Sequence, residues 1–359
     1  MYSRFILFRI IVYIVMYIHL KKESILEYPV EYYKKMKGKN TRGILCNYIG
    51  LLYNIPADHI EIIKQLCNNC HNASLVIDDI EDNSDYRRGH LAAHKVYGIP
   101  YALNSSYLAA FRMLHKLPDV IQTIVTDENN RHMQNRIMNH VIQSLYEMHI
   151  GQGLDIYWST YKITPSMCEY MEMIEQKTGT LFTIINDIAS ILQPNKLPFH
   201  KIDEMNNALR LLSHFFQIRD DFLNITCLKM WKQKQICEDF DAYKQTYMII
   251  LFYHHPDISK DDKNSFFEIF YKKNKTKREK GYLISVLHDY NILENTYQYI
   301  SSIVEIIKNI ILIPFLFEKL HVLRYDIDEL YRYLDYSKTD KSTINHQSIN
   351  YDQKLPTDK

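Results

Sequence analysis

The chain has 359 residues, with 43 Lys and Arg against 42 Asp and Glu for a net charge of +1. That balance argues against the basic surface a nucleic-acid binder needs, and the length is enough to bury one large core or two smaller ones. Gly (9) and Pro (10) are scarce, which predicts long helices with few sharp turns, and the six Cys show no disulfide-framework spacing, which predicts a reducing, cytoplasmic setting.

In chain order, Phe5 to Ile18 is apolar except for Arg9. It falls short of the roughly 20 residues of a spanning helix. Three readings stay open for it: a weak signal segment, a membrane-surface anchor, or an extension that packs on the protein. The last is preferred, with membrane contact through residues 5–18 as the other outcome. Residues 1–20 are therefore expected to be an extension and residues 21–336 one domain. Residues 337–359, polar and without apolar periodicity, are expected to be a frayed tail.

Apolar residues at helical spacing predict helices over Glu23–Met36, Thr41–Leu52, Ala57–Asp82, Tyr101–Leu117, Asn129–Trp158, Thr164–Leu192 and Glu204–Leu223. Pro165 stands at the first position of the sixth, after Thr164. A linker is expected over Lys229–Lys234, with more helices beyond it and a turn at Pro256-Asp257. Cys67-Asn-Asn-Cys70 lacks a second ligand pair and reads as structural. No segment alternates as a strand should, and there is no Gly-rich nucleotide loop. The predicted fold is all-α, a helical bundle around a central cavity.

Two acidic clusters share one spacing. Asp78, Asp79 and Asp82 end one long apolar helix; Asp220, Asp221 and Asn224 end another. Positions i and i+4 lie on one helix face, so each cluster is a claw of oxygen donors. A single such run is usually a solvated helix end. Two with matching spacing predict a site for hard divalent cations, Mg²⁺ or Mn²⁺, holding a diphosphate. Basic residues flank the claws: Arg87 and Arg88 before Gly89, Lys39 and Arg42 at i and i+3, and Lys177, Lys234 and Lys244 further on.

The run His71-Asn-Ala-Ser-Leu-Val-Ile-Asp-Asp-Ile-Glu-Asp-Asn-Ser with Arg87-Arg88-Gly89, Ala93-His94 and Tyr97-Gly98-Ile99-Pro100 resembles a eukaryotic geranylgeranyl diphosphate synthase. So do Gly151-Gln-Gly-Leu-Asp155-Ile-Tyr-Trp158, Gln176-Lys177-Thr178-Gly179 and Phe215-Phe216-Gln217-Ile-Arg-Asp220-Asp221. The motifs run from Gly38 to Lys244 in the order of that trans-isoprenyl diphosphate synthase family. The resemblance implies an isoprenoid-synthase-like fold and a homodimer or higher homo-oligomer. It implies that Asp78, Asp79, Asp82, Asp220 and Asp221, with Asn224 where many relatives carry Asp, hold three Mg²⁺ on an allylic diphosphate, Mn²⁺ being able to substitute. It implies that Arg87, Lys177 and Lys244 contact that diphosphate and that Lys39, Arg42, His71 and Arg88 form a pocket for isopentenyl diphosphate. Gln152, Asp155, Thr178, Gln217 and Lys234 would line the site. Ala73 and Ser74, small residues before the first claw, would leave room for a long product chain.

The chain also departs from the family. Ser159-Thr160 stands where relatives usually have Arg-Asp, and Leu91-Ala92 replaces a small-residue and Pro stretch. Ala242-Tyr243-Lys244 stands where they have Glu-Gly-Lys, and Met248 replaces a Pro. Tyr does not take positive φ cheaply, which predicts a reshaped loop around Lys244. Two outcomes follow. The allylic cation is captured by isopentenyl diphosphate, which the Lys39, Arg42, His71 and Arg88 set favours. Otherwise it loses a proton or cyclises to a terpene hydrocarbon, as in synthase-derived insect terpene synthases, which the altered segments favour.

Overall fold

Apolar residues recurring every three or four positions decide the architecture, because a helix with one apolar stripe must bury it against another. A computed structural model describes residues 24–36, 38, 40–126, 130–193, 197–232, 235–310 and 324–337. The N-terminal extension, Lys39, Lys234 and the tail beyond Ser337 lie outside the described residues. The chain is all-α, as its periodicity predicts, apart from one two-residue hairpin. Its described residues pack as two units.

The first unit takes in the chain up to Glu147 together with Thr180–Arg210. It contains α1 (Tyr28–Lys34), α2 (Thr41–Leu52), α3 (Ala57–Glu81), β1 (Tyr86–Arg87), β2 (His90–Leu91), α4 (Ala93–Tyr97) and α5 (Ile99–Ile124). It also contains α8 (Thr180–Leu192) and the first parts of α6 (Arg131–Tyr161) and α9 (Phe199–Thr226). The buried stripe of α3 runs Ile60, Ile63, Leu66, Cys67, Cys70, Ala73 and Val76, and Asp79 continues it. A carboxylate is thereby carried into the interior on the same face as the core. Val30, Tyr33, Val76, Ala93 and Ala102 close around it.

The second unit holds α6 from Met148, α7 (Met167–Ile174), a single π-type turn (Glu175–Gly179) and α9 from Leu211. Then come α10 (Leu228–Trp231), α11 (Glu238–Asp241), α12 (Tyr247–His254), α13 (Lys260–Phe270), α14 (Lys277–Asp289), α15 (Ile292–Ile310) and α16 (Ile327–Leu334). Phe240, Phe252, Phe266 and Phe270 are buried aromatics at its core, with Phe252 and Phe266 rings 4.4 Å apart.

Several expectations are corrected. The helix expected over Tyr101–Leu117 runs on through Pro118 to Ile124, because Leu117, Ile121 and Ile124 continue its buried stripe. The helix expected to start at Thr164-Pro165 starts at Met167. Ser166 caps it, accepting the Glu169 amide while the Glu169 carboxylate accepts the Ser166 amide. The single helix expected over Thr164–Leu192 is two, split by the π-type turn. The expected linker contains α10, formed because the Trp231 indole is buried and donates to the Asn224 carbonyl at 2.6 Å. A hairpin stands where no strand was predicted: Tyr86 pairs with Leu91 and Arg87 with His90. Its turn residues, Arg88 (φ 54) and Gly89 (φ 81), both adopt the left-handed conformation that two-residue hairpins favour. Among the described residues no helix is long and apolar enough to cross a membrane. All six cysteines are free thiols.

Candidate active site

The first claw forms where α3 ends. Asp82 caps that helix, its amide donating to the Asp78 carbonyl. Asp79 is completely buried. The hairpin returns Arg87 to it: Nε donates to Asp79 Oδ1 (2.9 Å) and Oδ2 (3.0 Å), and Nη2 donates to Asp78 Oδ2 (2.9 Å) and to Asp79. The Tyr33 hydroxyl donates to Asp79 Oδ2 and accepts the Ala93 amide at 2.9 Å. Burial works against the Arg87 charge, but Asp79 beside it raises the guanidinium above its ordinary value.

Behind the claw, the unit gathers three guanidinium groups around one imidazole. Burial, then the charges of Arg42, Arg88 and Arg87, hold His71 well below its ordinary value, so the ring is neutral at physiological pH. Arg42 lies 5.2 Å over the Phe182 ring, and its buried Nε has no partner among the described residues. Burial pushes Arg42 down to about 10, with the neighbouring Arg88 acting in the same direction. Arg88 donates to the Met36 carbonyl at 3.1 Å. The charges of Arg42, Arg87 and Arg88 thus all act on His71. Such a group of donors with a neutral imidazole between them is suited to a phosphate.

In the second unit the centre is Asp155 on α6. Its Oδ2 accepts Lys177 Nζ at 2.5 Å and Lys244 Nζ at 2.9 Å. Burial opposes the Asp155 charge, but the two ammonium groups hold it well below the usual carboxylate range. Gly151, one turn before Asp155, explains the proximity. A Cβ there would meet the Lys177 amide nitrogen at 2.5 Å, so only glycine lets α6 approach the π-type turn that carries Lys177 and Thr178.

The second claw hangs from the same turn. Thr178 Oγ1 donates to Gln217 Oε1 (2.9 Å), Gln217 Nε2 donates to Asp221 Oδ1 (2.9 Å), and Tyr170 Oη donates to Asp221 Oδ2 (2.9 Å). Those two donors to Asp221 are neutral. Burial pushes the Asp221 carboxyl up to about 7, and the charge on Asp155 acts in the same direction. Asp220 is exposed and 3.4 Å from Arg219. Asn224 is buried, and its Oδ1 accepts the Asp239 amide at 3.2 Å. Gln152 is partly buried one residue after Gly151.

The expectation that Tyr at position 243 avoids a positive φ is corrected. Tyr243 takes the left-handed conformation itself, at φ 57. Ser159 is buried, and its hydroxyl donates to the Asp155 carbonyl at 2.9 Å. Sequence reading missed Tyr33 and Tyr170. Each gives its hydroxyl to the second aspartate of a claw, from 46 and 51 residues away. No spacing pattern marks either.

The donors suit a hard divalent cation. Each claw offers oxygen only, and Asp221 is a buried carboxylate that, among the described residues, has no full charge hydrogen-bonded to it. Asn224 fits less well, since its side-chain oxygen already accepts an amide. Among the described residues no three His, Cys, Asp or Glu side chains converge as a ready-made cage. Mg²⁺ is commonly held by one or two carboxylates and completed by substrate phosphates and water.

Residues 23–287 match the sequence profile of the polyprenyl synthetase family. Similar proteins include preasperterpenoid A synthase PvPS of Talaromyces verruculosus, 33% identical over 219 residues, which are 60% of this chain and 26% of that protein. Geranylgeranyl pyrophosphate synthase penG of Penicillium crustosum is 33% identical over 222 residues, 62% of this chain and 60% of that protein. Geranylgeranyl pyrophosphate synthase 2 of Gibberella fujikuroi is 29% identical over 222 residues, 62% of this chain and 53% of that protein. The chain spans less than two thirds of the length of these relatives, from 26% to 60%. The profile nevertheless covers most of the chain and includes both claws, the hairpin arginines and the Asp155–Lys177–Lys244 group, and the chain belongs to the polyprenyl synthetase family.

Proposed function

We propose that this protein ionises an allylic prenyl diphosphate and joins the resulting cation head-to-tail to isopentenyl diphosphate. The family generally uses divalent metal ions. Asp78, Asp79, Asp82, Asp220 and Asp221, with Asn224 at the edge of the set, would hold three Mg²⁺, with Mn²⁺ able to replace them. Bound there, the ions would neutralise the leaving diphosphate and so lower the barrier to breaking the allylic C–O bond.

The chain's own residues do the rest. Lys177 and Lys244 carry fixed positive charge to the leaving group, and Asp155 keeps both ammonium groups oriented. Arg87 offers a guanidinium to the same diphosphate. Lys39, Arg42 and Arg88 bind the second diphosphate, with His71 as a neutral donor between them. Gln152, Thr178, Gln217 and Lys234 line and support the site. The isopentenyl double bond attacks the cation, a C–C bond forms, and the proton released passes to the departed diphosphate.

The observation that carries this reading is the buried Arg42 guanidinium, whose Nε has no partner among the described residues, with the Arg88 and Arg87 charges acting on the same His71. A lyase has no use for a second diphosphate site. The competing reading, a terpene synthase, draws support from the resemblance to preasperterpenoid A synthase and from Ser159, whose hydroxyl turns back to its own helix.

The test is incubation of the purified chain with Mg²⁺ and an allylic diphosphate, with and without isopentenyl diphosphate. A longer prenyl diphosphate formed only with it is the expected result. A volatile hydrocarbon formed without it would show the lyase instead. Lys39→Ala should impair elongation while sparing ionisation of the allylic substrate alone. The proposal includes a homodimer or higher oligomer in a reducing, cytoplasmic compartment, and the free thiols agree with that setting.

A further inference from the structure

The turn that presents Lys244 is held in an unusual way. Tyr243 sits at φ 57, a conformation that is uncommon for a residue other than glycine and rarer still for a bulky one. Its ring is gripped on several sides. Lys275 Nζ lies 4.6 Å from the ring centroid and Lys162 Nζ lies 5.3 Å from it. Phe270 and Tyr271 pack edge-on against the ring, at 6.4 Å and 6.0 Å.

The two lysines differ in setting: Lys162 is exposed, whereas Lys275 is not a surface group. Lys275 is buried, and its ammonium donates to the carbonyl of Phe240 (2.7 Å) and to that of Lys272 (3.0 Å). The first of these ties it to α11, directly before the turn. Lys162 follows the last residue of α6, two helical turns beyond Asp155, and also lies 5.0 Å from the Tyr271 ring. The Tyr243 carbonyl accepts Gln245 Nε2 at 3.0 Å, and Gln245 Oε1 accepts Thr164 Oγ1 at 2.9 Å. A closed circuit results. Lys244 reaches back to Asp155, and the neighbouring Tyr243 ring is gripped by a lysine at the end of Asp155's own helix.

We propose that Tyr243 is a positioning residue: its ring, clamped between Lys162 and Lys275, fixes the left-handed turn that aims Lys244 at Asp155. The aiming is a property of the fold. Its use, delivery of Lys244 to a diphosphate, rests on the function proposed above. Cation–π attraction is strongest where the cation is desolvated, as Lys275 is.

The experiment measures acylation of Lys244 by a small amine-reactive ester in the full chain, read peptide by peptide by mass spectrometry. The exposed Lys260 is the internal reference and the thermal midpoint is the folding control. In the native chain Lys244 is protected by burial and by its ion pair. Tyr243→Phe should keep it protected. Tyr243→Ala and Tyr243→Gly should each raise its labelling rate about tenfold, the scale of losing a desolvated cation–π grip. Tyr243→Gly is the decisive variant, because it removes the backbone strain along with the ring. Native-like protection in Tyr243→Gly would overturn the proposal. Should Tyr243→Ala fail to fold, Lys275→Gln tests the same clamp with Tyr243 in place, and unchanged Lys244 labelling there would overturn it too.

A second arm titrates inorganic pyrophosphate with Mg²⁺. The expected result is about tenfold weaker binding in Tyr243→Gly and native binding in Tyr243→Phe. If the native chain binds no pyrophosphate, the proposed function fails while the labelling arm still judges the clamp.

Discussion

The two claws share a spacing but not an electrostatic solution. In the first, Asp79 is completely buried and its charge is met by Arg87 from the hairpin and by the Tyr33 hydroxyl. In the second, Asp221 is nearly as buried, its hydrogen-bond donors among the described residues are the neutral Tyr170 and Gln217, and burial pushes its carboxyl up to about 7 although the more remote Lys177 charge acts the other way. A motif read as one unit in sequence is therefore two devices. One carries its own cation, and the other is left short of positive charge. The difference lies in what each claw's neighbours bring: a two-residue hairpin in one case and a π-type turn in the other.

The sharpest way to break this contrast is to neutralise each aspartate in turn. Asp79→Asn leaves the Arg87 guanidinium partly buried with only Asp78 beside it, and stranding one member of a buried ion pair costs about 3 kcal/mol of folding stability. Asp221→Asn removes a charge with no charged hydrogen-bond partner, so its stability should change by less than about 1 kcal/mol. Denaturant melts of the two variants check this, and equal losses would erase the distinction. Both Asp79→Ala and Asp221→Ala should lower turnover by about a thousandfold or more, because each removes a metal ligand under the proposed function.

Next in size is Gly151→Ala. The added methyl would meet the Lys177 amide nitrogen at 2.5 Å and the Met173 carbonyl at 2.9 Å, both backbone atoms that cannot swing aside. Overpacking of this kind costs about 1–3 kcal/mol. It should also part Lys177 from Asp155 while leaving the first claw intact. A variant with lowered midpoint, lost diphosphate binding at the second claw and an unchanged first-claw melt would sharpen the comparison. A variant with native Lys177 function would show that the close approach is dispensable.

These effects mark where the sequence was and was not informative. Helices were legible because burial follows a three-to-four residue stripe, and Asp79 could be placed on that stripe three residues after Val76. The Ser166–Glu169 capping box is also written in the sequence, as S-x-x-E, and it sets the helix start ahead of the Pro165 signal. The hairpin was not legible, since two-residue strands have no alternation to detect. The π-type turn depends on how closely Gly151 and Gly179 let their neighbours approach, a tertiary property. Tyr243 is the opposite case. Local propensity disfavours its φ, and distant Lys162 and Lys275 override it.

Acid titration probes the group beside the second claw. Asp155 has its carboxyl lowered by Lys177 and Lys244 against an ordinary value of 3.8. A carboxylate with a lowered folded-state value contributes stability that is fully present above the ordinary value and lost as pH falls through the lowered one. Asp155→Asn should therefore be less stable than the native chain at neutral pH, by about 1–3 kcal/mol on the scale of charge-assisted hydrogen bonds. The gap should close as both are taken below pH 3.8. A gap independent of pH would mean that packing, not charge, holds Asp155.

The smallest expected effects come from the two tyrosines, and they carry the comparison to its finest point. Tyr33→Phe removes one donor from Asp79, which keeps three contacts from Arg87, and deprives the Ala93 amide of its acceptor. Tyr170→Phe removes one of the two side-chain donors to Asp221 among the described residues, the other being Gln217. Each loss is worth about 1–2 kcal/mol at most, since one hydrogen bond to a charged group is at stake. Their consequences should differ in kind. Asp79 keeps its Arg87 contacts, so Tyr33→Phe should lower the melting midpoint and leave Mg²⁺-dependent stabilisation by pyrophosphate unchanged. Asp221 loses part of what favours its ionised form, so Tyr170→Phe should weaken that stabilisation several-fold while changing the midpoint of the metal-free protein little. Thermal melts of both variants, with and without Mg²⁺ and pyrophosphate, separate the two cases. The same response from both tyrosines would mean that the claws are electrostatically alike, whatever holds Arg87 in place.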